Sequence, residues 1–150
     1  MDNTDKLILK ILSENASIPA TQIGQIVGLS VPAVNKRIAK LKKEDIISSF
    51  TITTNAKCVE KPIIAFILIV VHYTDSADAF LEQLNRDPDI LECYAITGEY
   101  DYILKVCAKD VEMLEKKLLF LKKQKNVLKS RTMFSLMEYK FQPTVLPDIN

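Results

Sequence analysis

The sequence predicts an α+β protein in two parts, on two observations. Through Lys43 the apolar residues recur at intervals of three and four, broken at Asn15 to Ser17 and again at Gly28, which is the pattern of three short helices. From Ile63 onward, apolar β-branched runs and helical stretches alternate as strand, helix, strand, strand, helix, strand. That order is the split β-α-β arrangement of ferredoxin-like domains.

The first helix is predicted from Asn3 to about Ser13. Asp2 can cap it, Asp5 lies in the first turn where the helix dipole favours an acid, and Leu7, Ile8, Ile11 and Leu12 form its apolar stripe. Pro19 suits the first turn of the second helix, because its missing N–H would be unpaired there in any case. Ile23, Ile26 and Val27 are that helix's apolar positions, and Gly28 ends it by permitting a left-handed cap. Ser30 is then an N-cap for a third helix with Pro32 in its first turn.

Val34, Ile38 and Leu41 share one face of the third helix and are expected to pack on the first two. Pro32, Lys36, Ala39, Lys40 and Lys43 fall on the opposite face, with Ala33, Asn35 and Arg37 on the flanks. A helix, a tight glycine turn and a helix with small, polar and basic groups outward is how a helix-turn-helix reads. Such a helix enters the major groove, so its leading end must be slim and able to meet base edges. Ser30, Pro32, Ala33, Asn35 and Lys36 lie at that end, and Lys40 and Lys43 follow as phosphate contacts. Arg37 fits either a phosphate or an acid on a neighbouring helix. The alternative for the whole unit is a three-helix protein-interaction module.

Ile46 to Thr53 alternates and is β-branched, and reads as a strand; Asn55 to Pro62 reads as a linker. Ile63 to Tyr73 is a strand apolar on both faces, so the side away from the helices is expected to be covered by another sheet or subunit. Ser76 to Arg86 is a helix capped by Asp75, with Phe80, Leu81 and Leu84 inward. Ile90 to Thr97 and Tyr102 to Ala108 form a hairpin closed by Gly98 to Asp101. Asp110 caps a helix from Val111 to about Lys123, with Leu114, Leu118 and Leu121 inward, and Val127 to Phe141 is the last strand. The two-faced strand predicts dimerisation through the sheet. A dimer also suits DNA, since it offers two recognition helices to two half-sites.

Composition narrows the classes. The formal net charge is only +1, yet Ser30 to Glu44 holds five bases (Lys36, Arg37, Lys40, Lys42, Lys43) against one acid, a local rather than global positive charge. The opening Met1-Asp2-Asn3-Thr4-Asp5 does not resemble a targeting signal, and the longest apolar run is too short to span a bilayer. Cys58, Cys93 and Cys107 are isolated, which argues against a disulfide framework or a zinc site and for a reducing cytoplasm.

The residues resemble the Lrp/AsnC (feast/famine) transcription regulators over essentially the whole chain. The similarity lies in Asp2-x-x-Asp5-x-x-Ile8-Leu9, Ile23-x-x-Ile26-Val27-Gly28-Leu29-Ser30, Val34-x-x-Arg37-Ile38-x-x-Leu41, Ile46-Ile47, Gly98-x-x-Asp101-Tyr102 and Thr132. The resemblance implies a winged helix-turn-helix and an ACT-like sandwich. It implies homodimers joining into tetramers, octamers or larger discs, with an amino-acid effector between dimers at the loop Gly98, Glu99, Tyr100, Asp101 and Tyr102. Asp101 would accept from the ammonium, and backbone N–H groups near the glycine would donate to the carboxylate. Taken without the family, Gly98 is a positive-φ hairpin residue and the tyrosines are sheet packing.

Residues 1–47 are expected to bind DNA, 48–62 to form a strand and linker, and 63–150 to bind effector and oligomerise. Asp45 stands where the family commonly has glycine, so the exit from the third helix is expected to be shaped differently; Pro19 replaces a polar cap and Ser17 an arginine. The implied function is sequence-specific, effector-modulated transcription regulation, with no cofactor, no membrane and no catalysis. The rivals are an architectural protein that wraps DNA and a haem-pathway decarboxylase of the same architecture. The decarboxylase would need histidines and arginines around a tetrapyrrole, and His72 is the sole histidine.

Overall fold

The structure is a computed structural model that describes residues 1–72 and 77–148, with the side chains of 77–79 excepted. It divides into two compact units, residues 1–52 with 140–150 and residues 53–139.

The first unit holds α1 (Asn3–Glu14), α2 (Ala20–Val27) and α3 (Val31–Lys43). A reciprocal capping box starts α1: the Asp5 N–H donates to Asp2 Oδ1 at 2.8 Å and the Asp2 N–H donates to Asp5 Oδ2 at 3.2 Å. Pro19 sits just before α2 rather than inside it, and its carbonyl accepts from the Gln22 and Ile23 N–H groups. Gly28 takes the left-handed conformation at φ 69°, which turns the chain and lets the Leu29 N–H donate to the Gly24 carbonyl at 2.9 Å.

Ile8, Ile23, Val34 and Leu41 form the buried centre, each contributing about 2 kcal/mol by leaving water. Ile26, expected inward, is 56% exposed. Its place is taken by the buried Gly24, where a Cβ would meet the Leu29 carbonyl oxygen at 2.5 Å. The turn therefore packs directly on the α2 backbone, which only glycine allows.

Ser30 occupies the N-cap of α3, but its side chain makes no capping bond. At the other end the Ile46 N–H reaches the Leu41 carbonyl and the Asp45 N–H reaches that of Lys42, a Schellman closure with Asp45 at the left-handed position, φ 56°. The exit thus keeps a glycine-type turn with an aspartate in it, not the altered shape expected. The strand predicted over Ile46 to Thr53 is not formed. The Ile46 and Ile47 N–H groups are both spent on the Leu41 carbonyl, and Ile52 is 84% exposed. Alternation marks a strand only where a neighbouring strand supplies the ladder, and among the described residues none pairs there.

The second unit is a four-stranded antiparallel sheet in the order β2-β3-β1-β4, built from β1 (Ile63–Val71), β2 (Ile90–Ala95), β3 (Tyr102–Ala108) and β4 (Val127–Phe134), with α4 (Ala77–Arg86) and α5 (Val111–Lys122). Its core joins Ala65, Ile67, Ile69 and Val71 of β1 to Leu104 and Val106 of β3, beneath Phe80 and Leu84 of α4 and Leu114 and Leu121 of α5. Leu81 and Leu118 pack at its edge, as the helical spacing predicted. The alternate β1 residues Ile64, Phe66, Leu68 and Val70 are half-buried on the other face.

β4 ends at Phe134 instead of Phe141. Its partner β1 begins only at Ile63, just after Pro62, so the ladder closes with the Ser135 N–H donating to the Ile64 carbonyl. β2 likewise stops at Ala95, and the Ile96 N–H closes the hairpin onto the Asp101 carbonyl at 2.8 Å. The residues expected to end β1 and to cap α4 (Tyr73, Asp75 and Ser76) lie outside those described. Among the described residues no helix is long and apolar enough to cross a membrane.

Candidate functional site

Two groups of residues singled out from sequence can be placed. On α3, burial of Val34 and Leu41 turns Pro32, Asn35, Lys36, Lys40 and Lys43 outward to solvent, with Ala33 half-buried beside them and Ser30 exposed at the start. Lys40 meets Glu44 one turn on at 3.8 Å, in an exposed pair of little strength. Lys42 lies 4.4 Å from the centre of the Phe50 ring. The outward face is therefore slim at its leading end and cationic further along.

Arg37 is half-buried and points to α1. Its Nη1 donates at 2.7 Å to Asp2 Oδ2 and at 2.7 Å to Asp5 Oδ1, the two acids of the capping box. These bonds raise the guanidinium pKa further, first through Asp2 and then Asp5. The Asp2 carboxyl is lowered, first by the Asp5 N–H and then by Arg37. One cap thus serves twice, starting α1 and docking α3 on it. Of the two partners the sequence offered for Arg37, a phosphate or an acid on a neighbouring helix, the one formed here is the acid, and it is the capping pair Asp2 and Asp5 of α1.

The second group closes the β2–β3 hairpin. Gly98 adopts φ 120°, a conformation reserved for glycine, with open space around it. The Asp101 N–H donates to the Ile69 carbonyl at 2.9 Å, and Asp101 Oδ2 accepts from the Val71 N–H at 2.8 Å. The carboxylate thus continues the β3 ladder past the end of the strand and fixes this half of the loop to β1. Glu99 is exposed and ion-paired with Lys129 of β4, whose Nζ also stands 5.0 Å from the centre of the buried Tyr100 ring. Lys129 holds the Glu99 carboxyl below the ordinary range, with Arg131 adding to the effect, and Glu99 in turn raises the Lys129 ammonium. Tyr102 starts β3 at the edge of the core. Lys129 and Arg131 escaped sequence reading because only the β1–β4 register, Val70 opposite Lys129 and Leu68 opposite Arg131, brings them near.

The other end of the hairpin carries charges that sequence spacing did not connect. Lys61, Asp87, Asp89, Met113, Lys117 and Phe120 line a cavity of about 240 Å³ there. Lys117 binds Asp87 at 2.5 Å and Asp89 at 3.4 Å, and Lys61 also pairs with Asp89. Among the described residues no group of three or more histidine, cysteine, aspartate or glutamate side chains is placed to hold a metal.

Each of the two units has counterparts among known proteins. Residues 1–48 match the model of a winged helix-turn-helix DNA-binding domain, and residues 64–145 that of the Lrp/AsnC ligand binding domain. The chain is 38% identical to the transcriptional regulator AzlB of Bacillus subtilis, over 75% of its own length and 73% of that protein's. It is 33% identical to the HTH-type transcriptional regulator FL11 of Pyrococcus furiosus, over 98% of its own length and 96% of that protein's. The fold superposes with a TM-score of 0.93 on a transcriptional regulator of Neisseria meningitidis solved as its L-Met complex, at 26% identity, covering 97% of this chain and 96% of that one. With a DNA-binding helix-turn-helix in one unit and a ligand-binding sheet domain in the other, the chain belongs to the Lrp/AsnC family of transcriptional regulators.

Proposed function

We propose that this regulator binds specific DNA sequences as a homodimer or larger assembly, and that an amino acid adjusts both its assembly and its grip on DNA. The observation that carries this reading is the outward face of α3. Ser30, Pro32, Ala33, Asn35 and Lys36 sit where a recognition helix meets base edges, and Lys40 and Lys43 where it meets phosphates. Arg37, tied to Asp2 and Asp5, sets the angle at which α3 is presented.

Residues 1–47 carry out this task, 48–62 connect, and the sheet domain from residue 63 assembles and senses. The half-buried Ile64, Phe66, Leu68 and Val70, flanked by exposed Tyr94 and Met133, form a sheet face suited to a second copy of the chain. The Gly98–Tyr102 loop is the effector site on this reading, and the L-Met complex of the Neisseria protein supports an amino acid as the class of effector. The work is regulatory rather than catalytic, and its place is the cytoplasm.

The test is the affinity of the full-length protein for operator-length duplex, measured by fluorescence anisotropy with and without each amino acid. Lys36→Ala with Lys40→Ala is expected to weaken binding about ten-fold or more, and loss of the Lys40 phosphate contact to reduce the salt slope by about one. Unchanged affinity in the double variant would remove α3 as the reading helix.

A further inference from the structure

We propose that Glu99 is an internal stand-in for the carboxylate of the effector, held on Lys129 until a free α-amino acid displaces it. The proposal rests on the reading of the Gly98–Tyr102 loop as the effector site and assigns that site a cation and a built-in competitor.

The loop has a fixed half and a releasable half. Asp101 is fixed, because its N–H and its carboxylate both bond the β1 backbone. Glu99 has no such backbone tie. It follows Gly98, whose surroundings are open, and its visible anchor is the ammonium of Lys129. The two side chains are 69% and 53% exposed, so water screens their attraction and a competing carboxylate can replace Glu99 at small cost.

Lys129 does not depend on Glu99 to stay in place. Its stem rises from β4 opposite Val70, and the Tyr100 ring lies below the ammonium at 5.0 Å to its centre. When Glu99 leaves, the cation remains over a buried aromatic surface, next to a loop whose other acid, Asp101, is already positioned. That is the chemistry an α-amino acid requires, with a cation for its carboxylate and an acid for its ammonium. Arg131, two residues along β4, acts on the same carboxylate and so adds to the positive field that an arriving anion meets. Exchange of carboxylates would also move Glu99, which gives binding a structural consequence.

The experiment is calorimetric titration of the full chain with each of the twenty amino acids. For any that binds, it is repeated with the corresponding amino alcohol, which lacks the carboxylate. Removing the competitor in Glu99→Gln is expected to tighten binding about two- to five-fold, the range an exposed pair can command. Lys129→Met should weaken it about ten-fold and erase the preference for the acid over the alcohol, while Lys129→Arg retains that preference. If an amino acid binds the wild type, but Glu99→Gln leaves the affinity unchanged and Lys129→Met still prefers the acid, the exchange is wrong and the loop reading stands. If no amino acid binds either the wild type or Glu99→Gln, the effector reading itself fails and the exchange falls with it.

Discussion

The two ends of the β2–β3 hairpin are both tied by lysines to carboxylates, but under different access to water. At the end where β2 starts, Lys117 is 11% exposed and bridges Asp87 and Asp89, while Lys61 reaches Asp89 from the segment before β1. The Cys107 N–H adds a backbone bond to the Asp89 carbonyl at 2.9 Å, so four segments meet at one acid pair. At the end where β2 stops, Lys129 and Glu99 are more than half exposed. A charge pair strengthens as water is excluded, and breaking it then strands a poorly solvated partner. The ion pair at the first end is therefore the stronger of the two, and the one at the second end the weaker.

The largest expected effect is at the buried end. Lys117→Met keeps the aliphatic stem but leaves Asp87 and Asp89 facing each other without their shared cation. We expect a loss of about 2 kcal/mol in urea unfolding, below the range for fully buried pairs because the aspartates retain some solvent. If Lys117→Met costs no more stability than Glu99→Gln, the distinction between the two ends is gone.

A smaller effect appears in acid. The Asp89 carboxyl is held below the ordinary aspartate range, chiefly by the hydrogen bond from Lys61 and further by Lys117. A carboxyl with a depressed folded-state pKa contributes stability that is present above its unfolded value, about 4, and lost as pH falls through the folded value. The wild type should therefore lose stability below about pH 4, and Asp89→Asn should show a flatter acid limb. Denaturant midpoints from pH 6 down to pH 2 check this. Equal slopes in the two proteins would show that Asp89 is ordinary in the folded state.

What the sequence made legible follows from range. The helices of the first unit declare themselves within a few residues, through Asp2 and Asp5 at one start, Gly28 at one turn, and the spacing of Val34, Ile38 and Leu41. The outward face of α3 follows from the same periodicity, so most of its candidate residues could be named in advance. Failures came where a partner is remote. Ile46 to Thr53 has the alternation of a strand and, among the described residues, no ladder to join. β4 is cut short by where β1 begins, at Ile63. Lys129 reaches Glu99 across 30 residues of sequence, by way of strand register alone. Gly24 was not singled out from the sequence, for a different reason. Its neighbour in space, Leu29, is close in sequence, but nothing in the pattern distinguishes a glycine pressed against a carbonyl from one tolerated in a helix.

The smallest effect on stability is expected at Glu99, and there the contrast between the ends becomes sharpest. Glu99→Gln should leave the urea midpoint indistinguishable from wild type, because its partner is already solvated and Asp101 still ties the loop to β1. Yet the same substitution is the one expected to tighten amino-acid binding. A residue that holds nothing together but competes for a cation must show this split, whereas a structural pair would lose stability and binding together. Salt separates the cases further. At about 1 M ionic strength the screening length falls to about 3 Å, so the exposed carboxylates, internal and external, both lose their pull on Lys129. Wild-type and Glu99→Gln affinities should then converge, while the Lys117 bridge, with little water around it, keeps most of its effect on the unfolding midpoint. An affinity difference that persists undiminished at high salt would mean that Glu99 acts through the shape of the loop and not through its charge.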